Sequence, residues 1–307
     1  MRNALLPVVA MLLVSASACG SPVDPPRAPV APTLGWDSWN VYGCGVTEDD
    51  VERQANGLVT SGLAAAGYRT VVVDDCWSAP DRGADGRLRA NPSTFPSGMA
   101  ALGAYLHARG LRFGLYASPG DRTCAQRSGA YPGRTGSAGT EDLDARTFAA
   151  WGVDYLKYDW CGSGTSRSAQ VGAFRVMRDA LARTGRTITY AINPNSGVAG
   201  TVPGATGNWA GIADAVRVTN DVVPTWRTGA GPEGDQGIGD VLADVPPAPG
   251  TVRDLDMLVV GLPGVSDAQA RTQILEWSRL GSPLILGCDV SALTPEVRAL
   301  LTDAARR

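Results

Sequence analysis

Eight short runs of β-branched and aromatic residues alternate along the chain with amphipathic stretches of helical periodicity. Such alternation is typical of parallel βα units, in which each strand is followed by a helix that packs against the sheet. We therefore predict strands at residues 33–36, 70–74, 112–117, 154–159, 187–192, 215–219, 251–256 and 282–286.

Helices are predicted after most of these strands, at residues 48–65, 97–109, 141–151, 168–184, 267–280 and 294–305, with weaker candidates after the fifth and sixth strands. Eight βα units in about 275 residues match the usual size of a closed (β/α)8 barrel, the TIM barrel. The alternative is an open doubly wound sheet. It is disfavoured because no Gly-x-Gly-x-x-Gly turn follows a predicted strand and because polar residues recur at many strand ends.

The composition of the chain excludes several classes of protein. Its net charge is −3 and it has no basic patch, so nucleic acid is not an expected partner. His107, the only histidine, lies near the end of a predicted helix, where an imidazole can satisfy the last carbonyls. A Ser-His-Asp triad and a histidine-rich metal site are therefore disfavoured. The chemistry must rest on carboxylates, and we expect no metal or other cofactor.

Lys157 is the only lysine in the chain, and it lies in an apolar, aromatic run that is typical of a buried strand. A period of two puts Lys157 and Asp159 on the same face of that strand. A buried ion pair is often no more stable than an apolar replacement, so stability alone explains this lysine poorly. The pair instead predicts a polar functional site at the end of the strand.

Polar side chains also occur at the ends of most other predicted strands. The carboxyl ends of barrel strands form one rim, where active sites are built. A single aspartate after a strand is more often a helix cap or a turn residue. Several carboxylates on one rim without a histidine favour cleavage of a glycosidic bond, which needs one carboxylate as nucleophile or base and another as proton donor. The predicted rim residues are Asp37, Asp74, Asp75, Lys157, Asp159, Asn193, Asn195, Arg217, Asp221, Asp254 and Asp256.

Residues 1–18 are interpreted as an export signal, because their apolar run is too short to span a bilayer and Ala16-Ser17-Ala18 offers a small-x-small cleavage site. Cys19 follows this site and resembles the lipidated cysteine of a bacterial lipoprotein. Residues 19–32 are rich in proline and predict a semi-rigid linker. We expect an exported protein, a cell-surface lipoprotein in preference to a secreted one, that contacts the membrane only through Cys19.

Export makes the other cysteines interpretable, because thiols pair in oxidising compartments. Setting Cys19 aside leaves five cysteines, an odd number, so one of them stays free or pairs outside the chain. No Cys-x-x-Cys spacing occurs, which argues against a zinc site or a redox motif.

Several motifs follow one another in a fixed order between about residues 33 and 290. They are Gly35-Trp-Asp-Ser-Trp-Asn40, Val73-Asp-Asp-Cys-Trp77, Gly110-Leu-Arg-Phe-Gly-Leu-Tyr116, Tyr155-Leu-Lys-Tyr-Asp-Trp-Cys161, Asp254-Leu-Asp-Met-Leu258 and Ser282-Pro-Leu-Ile-Leu-Gly287. This collinear set resembles family 27 of the glycoside hydrolases, the α-galactosidases and α-N-acetylgalactosaminidases. Such an ordered set is far more specific than any one motif.

The resemblance implies a role for each matching residue. Asp159 would be the nucleophile and Asp221 the acid/base of a retaining mechanism, with Arg217 four residues before Asp221 as in the family. Asp74 and Asp75 would bind the sugar hydroxyls at positions four and six.

Further residues complete the implied sugar site. Trp36 and Trp39 would supply the apolar face against which a galactose ring packs. Lys157 would hydrogen-bond ring hydroxyls and keep Asp159 ionised by lowering its pKa. Strand-end positions add other substrate-binding candidates: Asp37, Asn193, Arg217 and Asp256.

The resemblance also implies two disulfide bonds that tie loops on the catalytic rim, and one free thiol. The pairs would be Cys44 with Cys76 and Cys124 with Cys161, with Cys288 unpaired. Relatives continue into a β-sandwich, so residues 33–307 are predicted to form a single catalytic barrel without that domain.

The predicted function is a retaining exo-glycosidase that hydrolyses terminal α-D-galactosides, with a galactose-containing oligosaccharide or glycoside as its binding partner. Residues 191–196 differ from the Cys-Glu-Trp type segment that reads the substituent at sugar position two in many relatives. Other sugars are therefore alternatives: N-acetylgalactosamine, a β-L-arabinopyranoside or an isomaltose unit. A surface sugar-binding lipoprotein without turnover is a different class, disfavoured because both presumed catalytic carboxylates are present.

Overall fold

The computed structural model describes residues 30–161, 166–195, 207–229 and 234–306. Its strands are β1 (Leu34–Asp37), β2 (Thr70–Val73), β3 (Arg112–Ala117), β4 (Tyr155–Asp159), β5 (Thr189–Asn193), β6 (Ala215–Arg217), β7 (Val252–Asp254) and β8 (Leu284–Leu286). All pair in parallel, in the order β7-β6-β5-β4-β3-β2-β1-β8. The predicted strands are confirmed, with ends that differ by at most two residues.

The sheet curls so that its two edges approach each other. Leu258, four residues after β7, forms a parallel bridge with Leu286 of β8. Its N–H donates to the Ile285 carbonyl at 2.7 Å, and its carbonyl accepts from the Gly287 N–H at 2.9 Å. These bonds satisfy edge groups that an open sheet would leave unpaired, so the strands form a (β/α)8 barrel as predicted.

Helices surround the strands. They are α1 (Trp39–Tyr42), α2 (Glu48–Thr60), α3 (Leu63–Ala66), α4 (Met99–His107), α5 (Cys124–Ser128), α6 (Glu141–Ala150), α7 (Arg167–Arg183), α8 (Ile238–Ala243), α9 (Asp267–Arg279) and α10 (Pro295–Ala304). The predicted helix at 48–65 is divided at Gly62, whose φ of 85° is left-handed and ends the helical geometry. α8 matches the weaker candidate after the sixth strand, whereas residues 196–206 after β5 lie outside the described residues.

Two apolar layers lie on opposite faces of the strands. Inside the barrel, a small cluster consists of Val72, Tyr155, Ala191, Ala215, Met257 and Ile285. The larger core fills the space between the strands and the helices. Gly35 of β1 also points inward, where a β-carbon would lie 2.1 Å from the Thr70 carbonyl oxygen, so only glycine fits there.

The described cysteines pair as the resemblance implied. Cys44 is bonded to Cys76 and Cys124 to Cys161, while Cys288 is a buried free thiol. The export signal and Cys19 lie outside the described residues, as does most of the 19–32 linker. None of the described helices has the length and apolar character needed to cross a bilayer.

His107 ends α4 as predicted, but its contact differs from the expected one. Its Nε2 lies 2.7 Å from Oδ2 of Asp154, rather than on helix carbonyls. The other Asp154 oxygen accepts from Arg186 at 2.5 Å. Because Asp154 precedes β4, this cluster lies at the amino end of the strands, away from the rim, and His107 has a structural role.

Candidate active site

A cavity of about 400 Å³ opens at the carboxyl ends of the strands, and we call it the upper cavity. Its polar and aromatic lining comes from the ends of β1 to β7 and from the loops that follow them. The side chains with most chemical interest are Trp39, Asp74, Asp75, Tyr116, Lys157, Asp159, Asn193, Asn195, Asn220, Asp221, Asp235 and Asp256. Parallel strands bring residues that are far apart in sequence to this rim.

Asp159 and Asp221 both line the upper cavity, in contrasting surroundings. Asp159 is the last residue of β4 and is only 8% exposed. Asp221 lies four residues beyond Arg217, the end of β6, and its side chain is 64% exposed. One carboxylate is therefore held in the wall of the barrel, and the other faces solvent.

Lys157 joins the ends of three strands beneath the cavity. Its Nζ donates to Oδ2 of Asp74 at 2.5 Å and lies 3.6 Å from Oδ2 of Asp37. The other Asp37 oxygen accepts from the Trp39 N–H at 2.9 Å, and the Asp74 N–H donates to Ser38 Oγ at 3.0 Å. The single lysine thus positions β1, β2 and β4 residues around one charge.

Burial and charge compete in setting the ionisation of this cluster. Burial raises the pKa of Asp159 to about 7, although the neighbouring Lys157 ammonium lowers it. Burial would lower the pKa of Lys157, but Asp37, Asp74 and Asp159 together raise it well above its usual value. The lysine therefore stays cationic. Burial, followed by repulsion from Asp74, raises the pKa of Asp37 well above its usual range.

Arg217 forms a second cationic centre near Asp159. Its Nη2 lies 2.6 Å from Oδ1 of Asp256, its Nη1 donates to Oδ1 of Asp221 at 3.2 Å, and its Nε lies 3.8 Å from Oδ2 of Asp254. Burial raises the pKa of Asp256 to about 6 despite this arginine. The guanidinium links the exposed Asp221 to the buried end of β7.

Asp256 holds the loop that carries Asp221. Its Oδ2 accepts from the Val222 N–H at 2.7 Å, while the Asp221 carbonyl accepts from the Gln236 N–H at 2.9 Å. Among the described residues other than glycine, only Asp256 (φ 74°) and Cys76 (φ 73°) have positive φ. Such backbone strain is concentrated at functional sites, and both residues lie at the rim.

Asp75 and the Cys124–Cys161 disulfide form another part of the wall of the upper cavity. One Asp75 oxygen accepts from the Cys76 N–H at 2.7 Å and the other from the Ala125 N–H at 2.9 Å. Burial raises the pKa of Asp75 to about 6. The disulfide ties the start of α5 to the residue that follows Trp160, and both of its cysteines line the upper cavity.

Most of the predicted rim and site residues meet at the upper cavity, but four do not. The expectation for Trp36 was wrong: it faces the helices, is fully buried, and donates through Nε1 to the Cys288 carbonyl. The period of two explains this, because Gly35 and Asp37 point inward and Trp36 must point outward. Asp37, Arg217 and Asp254 line a smaller cavity of about 20 Å³ deeper in the barrel, which we call the lower cavity.

Several residues of the upper cavity were not predicted. Tyr116 lies near the end of β3, and its hydroxyl accepts from the Cys124 N–H at 3.3 Å. Its strand-end position was a usable signal, as it was for the aspartates. Met257 and Asp235 offered none, because a thioether suggests no chemistry and Asp235 lies far from any strand end. In the part of the chain that the structure describes, no group of His, Cys, Asp and Glu side chains could hold a metal ion.

A (β/α)8 barrel with two carboxylates facing one polar cavity at its carboxyl rim is the framework of a glycoside hydrolase. The chain belongs to the family whose model is described as Alpha galactosidase A, which matches residues 31–306.

Individual proteins show the same similarity. Alpha-galactosidase A of Cellvibrio japonicus is 36% identical, over 97% of this chain and 71% of the relative. An alpha-galactosidase of Oryza sativa is also 36% identical, over 89% of this chain and 61% of the relative. The solved structure of a Saccharomyces cerevisiae alpha-galactosidase with raffinose has a TM-score of 0.76 and 31% identity, covering 88% of this chain and 62% of that one. The chain therefore spans about three fifths to seven tenths of the length of these relatives.

Proposed function

We propose that this protein hydrolyses terminal α-D-galactosides with retention of configuration, through a double displacement that uses Asp159 and Asp221. The observation that carries the proposal is that both carboxylates line the upper cavity, one buried and one exposed. Retaining glycosidases need two such groups, with different tasks.

In the first step, an oxygen of the Asp159 carboxylate attacks the anomeric carbon, and the bond from that carbon to the glycosidic oxygen breaks. Asp221 gives its proton to the departing oxygen, and the sugar becomes esterified to Asp159. In the second step, Asp221 takes a proton from water as the water oxygen attacks the anomeric carbon. The ester bond breaks, which restores the Asp159 carboxylate and the protonated Asp221.

The remaining polar groups of the upper cavity would bind and orient the sugar. Asp74, Asp75 and Lys157 have the charge and position to hydrogen-bond ring hydroxyls. Trp39 supplies an aromatic surface for the apolar face of the ring. Asp37 acts from below, since it accepts from the Trp39 N–H and lies beside Lys157. All of these groups belong to the barrel, so we infer that the barrel suffices for turnover.

Galactose is favoured over the other sugars by the relatives. The proteins that are 36% identical are named alpha-galactosidases, and the yeast structure contains raffinose. A β-L-arabinopyranosidase of Geobacillus stearothermophilus is only 22% identical and carries an argument about fold alone. We therefore infer that raffinose-like galactosides are the substrate class.

A panel of chromogenic glycosides tests the sugar. We expect turnover of the α-galactoside to exceed turnover of α-N-acetylgalactosaminide, β-L-arabinopyranoside and α-glucoside substrates. Proton NMR of the first sugar released should show the α anomer, because two inversions give net retention. The two carboxyl groups should lie roughly 5 to 6 Å apart in a galactose complex. Release of the β anomer, or galactose binding without hydrolysis of any glycoside, would refute the proposal.

We also propose that the protein is exported and anchored through a lipid on Cys19. Two disulfide bonds support an oxidising compartment, because they are rare in the cytoplasm. Expression in a bacterial host followed by detergent partitioning tests the anchor. Wild type should enter the detergent phase, and Cys19→Ala should not. Equal partitioning of the two proteins would contradict the lipid anchor and would mean that the protein is secreted without a lipid or keeps its apolar signal segment.

A further inference from the structure

The lower cavity lies inside the barrel, directly beneath the upper one. Its volume of about 20 Å³ has room for a single water molecule. Five side chains line both cavities and so lie at the boundary between them: Lys157, Asp159, Asn193, Asp256 and Met257. Its other lining residues are Asp37, Tyr155, Ala191, Ile192, Arg217, Asp254 and Ile285.

Three side chains that line the lower cavity each have a buried polar atom without a hydrogen-bond partner among the described residues. These atoms are Oδ1 of Asp159, Nε of Arg217 and Oδ1 of Asp256. The residues are 8%, 4% and 3% exposed, respectively. Asp256 Oδ1 is close to Nη2 of Arg217 but lacks the alignment of a hydrogen bond with it. Unpaired buried polar atoms are costly and rare in native proteins.

The chemistry of these atoms identifies the ligand. Arg217 Nε–H is a donor, whereas the two carboxylate oxygens are acceptors. A cation could not satisfy the N–H group, and an anion could not satisfy the carboxylates. A water molecule both accepts and donates, and it needs two to four polar partners when buried.

We propose that the lower cavity binds one ordered water, which accepts from Arg217 Nε–H and donates to Asp159 Oδ1 and to Asp256 Oδ1. Resting on the function proposed above, the water is a positioning ligand of the nucleophile. It holds the inner oxygen of Asp159 and leaves the outer oxygen to attack the sugar.

The water also affects the ionisation of Asp159. A hydrogen bond donated to a carboxylate favours its charged form and lowers its pKa. The charged groups around Asp159 come from every neighbouring strand end: Asp37, Asp74, Lys157, Arg217, Asp221, Asp254 and Asp256. Burial, Asp74 and Asp221 raise the pKa of Asp159, whereas Lys157 and Arg217 lower it. The water would therefore act in the same direction as the two cations.

Filling the lower cavity tests the proposal. Ala191 lines the lower cavity and not the upper one, so Ala191→Val displaces the water without touching the sugar. Ala215 is its registered neighbour on β6, is equally buried inside the barrel and lines neither cavity. Ala215→Val is therefore a matched control. Ala191→Ser adds a hydroxyl that can replace the water as a donor.

We expect the acidic limb of the kcat/KM profile of Ala191→Val to move to higher pH by about one unit, so that kcat/KM at a pH below the limb falls about tenfold. Ala215→Val should keep the wild-type limb, and Ala191→Ser should stay within a few tenths of a unit of it. An unchanged limb in a folded Ala191→Val protein whose crystal structure contains the valine methyls in the cavity would overturn the role in positioning.

A crystal structure of the wild type at high resolution tests the site without any assay. We expect a density peak in the lower cavity within about 3 Å of the three atoms. Absence of that peak overturns the proposal. This test does not depend on whether the Ala191→Val variant folds. If the wild type hydrolyses no glycoside and the peak is present, the proposed function fails and the water site stands.

Discussion

The end of β4 and the loop after β6 each carry one of the two key carboxylates, and they differ in almost every physical respect. Asp159 ends a strand that is paired on both sides, is 8% exposed and is flanked by Lys157 and Arg217. The Asp221 side chain is 64% exposed and belongs to a loop held by a few hydrogen bonds.

This contrast separates the two tasks of the proposed reaction. A nucleophile must be ionised and fixed in position. The strand end fixes Asp159, and Lys157 and Arg217 favour its ionised form against the burial that raises its pKa. An acid/base must gain and lose a proton in each turnover, which is easier for a carboxyl group in contact with water. Each of the following variants tests whether one region can be changed without changing the task of the other.

The largest effect is expected for Asp159→Asn, which removes the attacking carboxylate and keeps its shape. Turnover should fall by on the order of a thousandfold or more, because covalent catalysis depends on its nucleophile. Galactose binding, measured by calorimetry, should survive. Substantial residual turnover in a preparation free of wild type would mean that another group is the nucleophile.

Asp221→Asn should have an effect that depends on the leaving group. Hydrolysis of raffinose should fall by about a hundredfold or more, because its glycosidic oxygen needs a proton to depart. The first step with an activated aryl galactoside should change much less, while the second step still lacks its base, so a burst of phenol should precede slow turnover. Equal losses on both substrates would contradict the acid/base role.

Lys157→Met removes a cation from the buried region alone. The pKa of Asp159 should rise when its neighbouring ammonium is lost, so less of it is ionised at acidic pH and the acidic limb of kcat/KM moves to higher pH, by about one unit or more. Lys157→Arg keeps the charge and is the control. A wild-type limb in Lys157→Met would show that Lys157 acts only in sugar binding.

The smallest effect is expected for Asp240→Ala, at the start of α8. Asp240 accepts from the Thr228 N–H at 2.8 Å and from the Gly237 N–H at 2.9 Å, so it joins Thr228 to the start of α8 within the segment that follows Asp221. The Asp240 side chain is part of the capping box of α8, and its loss should cost about 1 kcal/mol of stability. It should lower kcat a few fold and leave the acidic limb of the kcat/KM profile unchanged. Asp240→Asn should recover part of the lost stability and part of the lost kcat. A shift of the acidic limb in Asp240→Ala would mean that the Asp221 loop and the buried region around Asp159 are coupled.

The strands and long helices were predictable because their signals are local. A buried strand shows as a short β-branched run, and a helix shows as a 3.6-residue period. The capping box of Thr47 and Asp50 at the start of α2 is local in the same way. α1 and α5 were missed because a helix of four or five residues is too short to show a period.

The site was predictable to the extent that strand ends converge on one rim. That rule brought Asp74, Asp159 and Asp256 to the upper cavity. It failed for Trp36, where a motif was interpreted without regard to the alternation of side chains along the strand. It also did not distinguish the upper cavity from the lower one, which Asp37 and Arg217 line. Depth inside a barrel depends on strand stagger, which no short window of sequence contains.

Local chemistry in the sequence determined the alternation of strands and helices and the polar ends of the strands. The single lysine in an apolar run also marked the place of a polar site. Barrel closure through Leu258 and Leu286, the ion pair of Lys157 with Asp74, and the burial of one oxygen of Asp159 were decided only in the tertiary structure. These features join segments that are far apart along the chain, and their energies depend on burial and distance, which exist only once the barrel has formed.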